Sequence, residues 1–585
     1  MSQLRTPICC LQGHVDVGKT HISDALRKSS VHAKEFGGIT QQIGATFYSK
    51  EYLQKQTKTL NSDINVPGLL MIDTPGHECF SNLREKGMEI SDISIVVVDF
   101  VKGVEHQTFE IINNLKKYRT PYIIVANKVD TVYQWKNPNE GMNFIENYKR
   151  QTDKVKSEYD TCMKNIILKF NENGVNVAPF YKNPDSRSYA SIVPISAKTC
   201  EGIAEMIMLI IKLAEKFMKK KLAVNEDEHG GYIVEKYKDN QHGTLINAIL
   251  TDGNLSVGDE VRVCGQSLLH SIKVKEIYVP NEAIEMKGKT KYTSVKSVDA
   301  SKGIMLKLEN PDLVETGTMF KILKENTNIK EIDKILQNNL NCHIKNIIQK
   351  DFNQEGVLIC CPYYGPIEAV WKMCKDKSIP VSGIVVGELK KADIFKLASR
   401  TKSDKKNDPD GYFYEKQLRI VLAYQCDVNK ETIENANIND VTIIQDQVIY
   451  QLMEKYEIFK ENINSKLKEK YPNIVPQFKA RIIPKYVFKT KDPIIVGVKI
   501  HSGILHKCVI KSNSTSTIIG TIVSIEKDHK IKEFAKENDE VCLKIDVFDG
   551  KRVEYGKEFN HLDEIVPYFN AHESNLLKRF GEIFN

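Results

Sequence analysis

The eight residues Gly13 to Thr20, GHVDVGKT, fit the pattern G-x-x-x-x-G-K-[ST], between an apolar run, TPICCLQ (Thr6 to Gln12), and a helical segment. Such a loop works at the turn from a buried strand into a helix N-terminus, where glycines let backbone N–H groups converge on phosphate. It commits the start of the chain to an α/β domain. In that setting Gly13, His14, Val15, Asp16, Val17 and Gly18 form the cradle. Lys19 reaches the β- and γ-phosphate oxygens, and the Thr20 hydroxyl ligates Mg²⁺.

The strand candidates are Thr6 to Gln12, Gly68 to Asp73, Ile93 to Asp99, Tyr122 to Asn127 and Ser191 to Ser196. Each is a short apolar run, and helical patterns separate them. Phe109, Ile112, Leu115 and Tyr118 are spaced to lay one helix face on a sheet. This alternation predicts a doubly wound, mostly parallel sheet. A long insertion, Thr131 to Ala190, interrupts it and carries an amphipathic helix, DKVKSEYDTCMKNIILKF.

Chain length excludes a single core; 585 residues imply about three to five domains. We place a phosphate-binding domain at 1–222, a β-barrel at 230–328 and a small α/β/α domain at 329–445. A long connecting helix at 446–473 and a second β-barrel at 474–585 complete the chain. The barrels share Gly-x-Leu, at Gly253 to Leu255 and Gly503 to Leu505, and read as related antiparallel structures. Val448, Leu452, Tyr456, Phe459, Ile463 and Leu467 keep helical spacing from Asp446 to Tyr471, where Pro472 stops the run. That stripe suits a rod projecting between domains or an ordinary core helix.

Three further motifs sit at strand ends in the first domain. In DTPG, Asp73 can hold the Mg²⁺ through water and the Gly76 N–H can meet a γ-phosphate. In NKVD, Asn127, Lys128 and Asp130 face the base. The Asp130 carboxylate accepts from both the ring N–H and the exocyclic amine of guanine, a pair that adenine does not offer. Ser196, Ala197 and Lys198 supply backbone donors to the guanine carbonyl. Alone each motif is weak, but all in order mark a GTPase. Thr40, in GGITQQIGAT (Gly37 to Thr46), stands where a second Mg²⁺ hydroxyl belongs when GTP replaces GDP. His77 directly follows Gly76, which makes it the candidate catalytic group that orients water, although a histidine in a turn is more often structural.

Composition adds exclusions. The longest apolar stretch, ISIVVVDFV (Ile93 to Val101), is far short of the ~20 residues that span a bilayer. The start lacks the leader pattern of a secreted protein. Thirteen cysteines without zinc-knuckle spacing fit reduced thiols and a cytoplasmic location. A net charge of +7 permits an RNA partner and does not require one.

GHVDVGKT, GGITQQIGAT, DTPGHE and NKVD together resemble the translational GTPases, and GITQQIGA with TPGHECFSNLR resembles the initiation factor 2 and 5B family. The resemblance implies a ribosome-dependent GTPase that promotes subunit joining and stabilises initiator methionyl-tRNA on the ribosome. It implies contact with both ribosomal subunits and with initiation factor 1A, and a monomer off the ribosome. It further implies that ribosomal RNA orders His77, and that Asp16 binds a monovalent cation, K⁺ or Na⁺; a loop-stabilising aspartate is the alternative there. Two features depart from the family: the first strand begins almost at Met1, and the tail DEIVPYFNAHESNLLKRFGEIFN is shorter than the usual C-terminal helices. Two other readings stay open, an elongation-factor-like tRNA carrier and a non-ribosomal regulatory GTPase.

Overall fold

The computed structural model describes residues 4–27, 40, 43–60, 63–76, 80–139, 142–223, 229–239, 242–265, 268–281, 292–324, 327–348, 352–353, 355–362, 364–400, 406–471, 474–528, 530–548 and 552–584. They form two compact units, Met1–Arg400 with Leu418–Leu452, and Thr401–Gln417 with Met453–Asn585.

The first unit opens with a seven-stranded sheet of β1 (Ile8–Gly13), β2 (Gly44–Ser49), β3 (Gly68–Asp73), β4 (Ile93–Asp99), β5 (Tyr122–Asn127), β6 (Val177–Pro179) and β7 (Ala190–Pro194). Their order is β2-β3-β1-β4-β5-β7-β6, with only β2 antiparallel. β1, β3 and β4 are buried along their whole length, as parallel strands covered on both faces must be. One face packs on α1 (Lys19–Arg27) and on the apolar helix Ile203–Phe217, and the opposite face on the helix His106–Tyr118. Three of the five expected strands match their bounds. The first is Ile8–Gly13 instead of Thr6 to Gln12, and the last is Ala190–Pro194 instead of Ser191 to Ser196.

The helix His106–Tyr118 corrects one expectation. Its buried residues are Gln107, Thr108, Ile111, Ile112 and Leu115, whereas Tyr118 is 38% exposed. A strict spacing of three drifts around a helix of 3.6 residues per turn, so the fourth position leaves the core. The inserted helix forms at Asp153–Glu172. Behind it, β6 adds an edge to the sheet, so the insertion extends the domain rather than hanging from it.

The two barrels have the same topology. Numbering nine strands within each, from Gly230–Asp239 to Met319–Leu323 and from Phe478–Lys489 to Glu564–Pro567, both sheets run 4-9-1-2-8-5-6. In both, strand 4 closes on 5, and strands 3 and 7 pair separately. The shared Gly-x-Leu marks the turn into strand 3: Gly253 and Gly503 have φ of 81° and 80°, a region open to glycine, and Leu255 and Leu505 are fully buried. The helix Ile329–Ile348 buries Ile332, Leu336 and Leu340 against Cys264 of the first barrel. Between the barrels, strands Val357–Cys361, Val381–Val386, Ile420–Tyr424 and Thr442–Asp446 form a parallel sheet with interleaved helices.

The long helix spans Ile449–Lys470, 22 residues or about 33 Å, because Asp446 still belongs to the preceding strand. Pro472 lies outside the described residues. In the second unit the far half of the stripe, Ile463 and Leu467, is buried with Ile474 and with Leu576, Leu577 and Ile583 of the C-terminal helix Ala571–Phe584. That half is a packed core element. Each described cysteine is a free thiol, and no described helix is long and apolar enough to cross a membrane.

Within the first unit, one buried ion pair ties the α/β domain to the first barrel. Arg5 grips Asp92 with both terminal nitrogens, at 2.6 and 2.9 Å, and its Nε reaches Asp252 of the barrel at 3.2 Å. Asp92 is 1% exposed and also accepts the Ile8 N–H. Asp92→Ala leaves the guanidinium buried without its main partner, an arrangement that costs about 3–5 kcal/mol. We expect a loss of that size in urea unfolding, and a change under 1 kcal/mol would show that solvent takes over the pairing.

Candidate functional site

A cavity of about 590 Å³ opens above the carboxyl ends of β1, β3 and β5, the edge at which open α/β sheets bind ligands. Val15, Asp16, Gly18, Lys19 and Thr20 line one end. Asn127, Lys128, Asp130, Ala197 and Lys198 line the other, and Thr40 and Gly76 also contribute. Of the remaining candidates, Gly13, His14, Val17, Asp73 and Ser196 are not in the cavity lining. His77 lies outside the described residues, as do five of the ten positions in Gly37 to Thr46.

The phosphate end is arranged around Lys19, whose ammonium donates to the Gly13 and His14 carbonyls at 3.0 and 2.7 Å. Burial pulls its pKa down to about 8, while the nearby Asp73 carboxylate works against the fall. An arriving phosphate therefore meets a cation that the protein alone under-compensates. Asp16 stands at φ 62°, a left-handed conformation that aspartate tolerates, and is exposed. The Thr20 and Thr40 hydroxyls are 2.7 Å apart. Asp73, 2% exposed, ends β3 alongside β1. Two hydroxyls and a carboxylate make an oxygen-only donor set, the kind that suits a hard divalent cation bridging to phosphate.

Gly76 closes on this group: a Cβ there would run into Lys19 Nζ and the His14 carbonyl. The neighbouring Thr74 hydroxyl donates to the Leu11 carbonyl at 2.7 Å, fixing the start of the DTPG turn on β1.

At the base end Asn127 lines the cavity and also ties two loops together. Its Nδ2 donates to the Val17 carbonyl at 2.8 Å, and its Oδ1 accepts the Ala197 N–H at 3.0 Å. The side chain is 2% exposed and bridges the phosphate loop to the Ser196–Lys198 loop. The Ala197 N–H is thus already engaged, which narrows what that loop offers a carbonyl. Ser196 is fully buried, and its hydroxyl accepts the Thr199 N–H at 3.2 Å, shaping the turn. Lys128, at φ 73°, pairs with Asp99 at 2.9 Å. Burial pushes the Asp99 carboxyl up, but the Lys102 N–H and the Lys128 ammonium outweigh it and hold the group below the ordinary carboxylate range. Asp130 stands on the one-turn helix Val129–Thr131 at the cavity edge.

Several contributors escaped the motifs. His21, Phe80, Thr131 and Tyr450 also line the cavity. Tyr450 lies off the apolar stripe of its helix, so periodicity gave no sign of it. Glu201, 3% exposed, accepts from Trp135 Nε1 at 3.0 Å and from Asn147 Nδ2 at 2.7 Å, and its carbonyl receives the Ser196 N–H at 3.0 Å. Burial raises its pKa. It therefore joins the insertion to the loop at Ser196.

Known proteins resemble this chain over nearly its whole length. Residues 4–216 match the family model of the elongation factor Tu GTP binding domain, and residues 476–560 match that of elongation factor Tu domain 4. The chain is 33% identical over 588 residues to eukaryotic translation initiation factor 5B of Homo sapiens, a match that covers 98% of this chain and 47% of that protein. It thus spans about half the length of the mammalian relatives it matches. It is 31% identical to a probable translation initiation factor IF-2 of Archaeoglobus fulgidus, over 99% of this chain and 95% of that one. The crystal structure of GDP-bound aIF5B from Aeropyrum pernix is similar with a TM-score of 0.57 at 29% identity, over 99% of this chain and 94% of that one. The chain belongs to the family of archaeal translation initiation factor IF-2 and eukaryotic translation initiation factor 5B.

Proposed function

We propose that this chain is a ribosome-dependent GTPase of translation initiation, which promotes joining of the ribosomal subunits and stabilises initiator methionyl-tRNA. The observation that carries the reading is the convergence of Lys19, the Thr20–Thr40 hydroxyl pair, Gly76 and Asp130 on one cavity. GTP and GDP are its ligands, with the base at Asp130 and the phosphates at Gly13 to Thr20. Thr20 and Thr40 would hold Mg²⁺ directly and Asp73 through water; the ion would neutralise charge on the phosphates during hydrolysis. Asp16 is the proposed ligand of a monovalent cation, K⁺ or Na⁺. Family membership supports ribosomal RNA and initiator tRNA as partners, initiation factor 1A as a further one, and a cytoplasmic location. A tRNA carrier of the elongation-factor type is disfavoured, because a parallel α/β sheet stands where such a carrier would have another barrel.

In hydrolysis as we read it, the preset phosphate loop and Lys19 hold the nucleotide in place. The Gly76 N–H meets the γ-phosphate, and His77 orients water once ribosomal RNA orders its ring. GTP turnover measured with neither, either or both ribosomal subunits tests this. We expect slow turnover alone and a rise towards about 10⁵-fold with both subunits, abolished in His77→Ala while GTP binding persists. Equal turnover in buffer alone would overturn the proposal.

Two predictions concern the cavity itself. Asp130→Asn exchanges one acceptor for a donor that faces guanine donors. GDP should bind roughly 10- to 150-fold more weakly, equivalent to about 1.5–3 kcal/mol, and xanthosine nucleotides should be preferred; an unchanged preference would remove Asp130 from base recognition. The lowered pKa of Lys19 gives a pH signature. Phosphate raises that pKa in the complex, so binding takes up a proton once pH exceeds about 8, and affinity falls as pH climbs through that value. Calorimetry of GDP binding at pH 8.5, in buffers of different ionisation enthalpy, should show net proton uptake that grows as pH rises. No uptake there would mean that the free lysine is already fully charged.

A further inference from the structure

The turn at Gly76 is held by a side chain that is not in the cavity lining. Gln107, in the first turn of the helix His106–Tyr118 and 3% exposed, donates from Nε2 to the Gly76 carbonyl at 2.9 Å. Its Oε1 lies 2.5 Å from His14 Nδ1. Chemistry fixes the orientation of the amide. A backbone carbonyl only accepts, so Nε2 faces Gly76, Oε1 is left for the ring, and Nδ1 carries a proton to donate to it. The other ring nitrogen faces Glu105 Oε2 at 3.0 Å, and Arg84 Nη1 adds a second donation to the Gly76 carbonyl at 3.3 Å. His14 is itself tied down, since its carbonyl accepts from Lys19. The helix Ser81–Ile90 and the helix His106–Tyr118 each donate to one carbonyl oxygen, and Gln107 links it to the phosphate loop through His14.

The identity of that oxygen matters. The Gly76 carbonyl belongs to the rigid peptide unit that joins Gly76 to His77, whereas the Gly76 N–H belongs to the unit before it. Two donors on this oxygen set ψ of Gly76 and therefore the direction in which the chain departs towards His77. Glycine has the least intrinsic preference of any residue, so the plane needs an outside hold. We propose that Gln107 is a positioning residue for GTP hydrolysis, tying the Gly76–His77 peptide to the phosphate loop through His14. This rests on the GTPase reading above.

The test compares Gln107→Leu and Gln107→Glu with the unsubstituted protein. Leucine removes both bonds. Glutamate still accepts from His14 but has no donor for Gly76. Both variants should still melt cooperatively and bind GDP within about threefold, while kcat for ribosome-stimulated hydrolysis falls about 10- to 100-fold at an unchanged half-saturating ribosome concentration. Hydrogen exchange over residues 74–84 should quicken in both, in the GDP-bound protein without ribosomes. Combining Gln107→Leu with His14→Ala should give less than the product of the separate losses in kcat. Turnover within twofold in both variants overturns the role of Gln107, whatever the exchange shows. A matching loss of GDP affinity in both marks a packing role and also overturns it. If ribosomes fail to stimulate the unsubstituted protein, the GTPase reading falls instead, and the exchange result reports separately whether Gln107 holds the turn.

Discussion

The Asn127 side chain makes one hydrogen bond in each direction, to the Val17 carbonyl and from the Ala197 N–H, and the cavity depends on both. The first reaches the phosphate loop and the second reaches the loop beneath the base. A buried amide left half satisfied would cost about 1–3 kcal/mol, so neither loop can drift without penalty. Gly18 belongs to the same constraint: at φ 90° a Cβ would sit 2.5 Å from Asn127 Nδ2. The motif glycine is needed here for the close approach of a clamp as well as for the phosphate. Because Asn127 ends β5, between β4 and β7, the clamp takes its position from the sheet.

Much of this was legible in the sequence because parallel strands buried on both faces read as uninterrupted apolar runs, and because the nucleotide motifs are local. Both properties survive without knowledge of the fold. The barrels were legible for a related reason. Their topology asks mainly for alternating burial and a few glycines at positive φ, and Gly253 and Gly503 keep one such position in both. What stayed hidden was mostly nonlocal. Gln107 lies 93 residues from His14, and Glu201 lies 66 residues from Trp135; neither has a neighbour in sequence that announces its role. The start of the long helix was misread because Asp446 closes a strand, and strand and helix both tolerate Val448 and Ile449 as buried residues.

The insertion illustrates how a peripheral element acquires influence over a site. Its core stacks Phe100, Trp135, Phe144 and Tyr159, and such a cluster could stabilise the domain from a distance. Glu201 changes that. One carboxylate accepts from the loop after NKVD and from the insertion's first helix, while its backbone pairs with Ser196. Burial makes its ionised form costly, a cost that the two donated N–H groups offset only in part. The Ser196 loop therefore has a support outside the nucleotide motifs.

Two buried amides thus organise the two ends of one cavity, and they differ in what they hold. Asn127 connects loops that are both anchored at strand ends, so the base end is fixed by the sheet. Gln107 holds Gly76, whose φ and ψ are the freest in its turn, and it does so from a helix on one side of the sheet. A protein that must keep its nucleotide while changing the arrangement around the terminal phosphate needs this asymmetry. On the proposed GTPase reading, two rigid ends would make GTP and GDP look alike to the rest of the molecule. If both were loose, the difference between them would be lost to local motion. With the base end clamped, a displacement at Gly76 has a fixed frame to push against, and Gln107 carries it on to His14 of the phosphate loop.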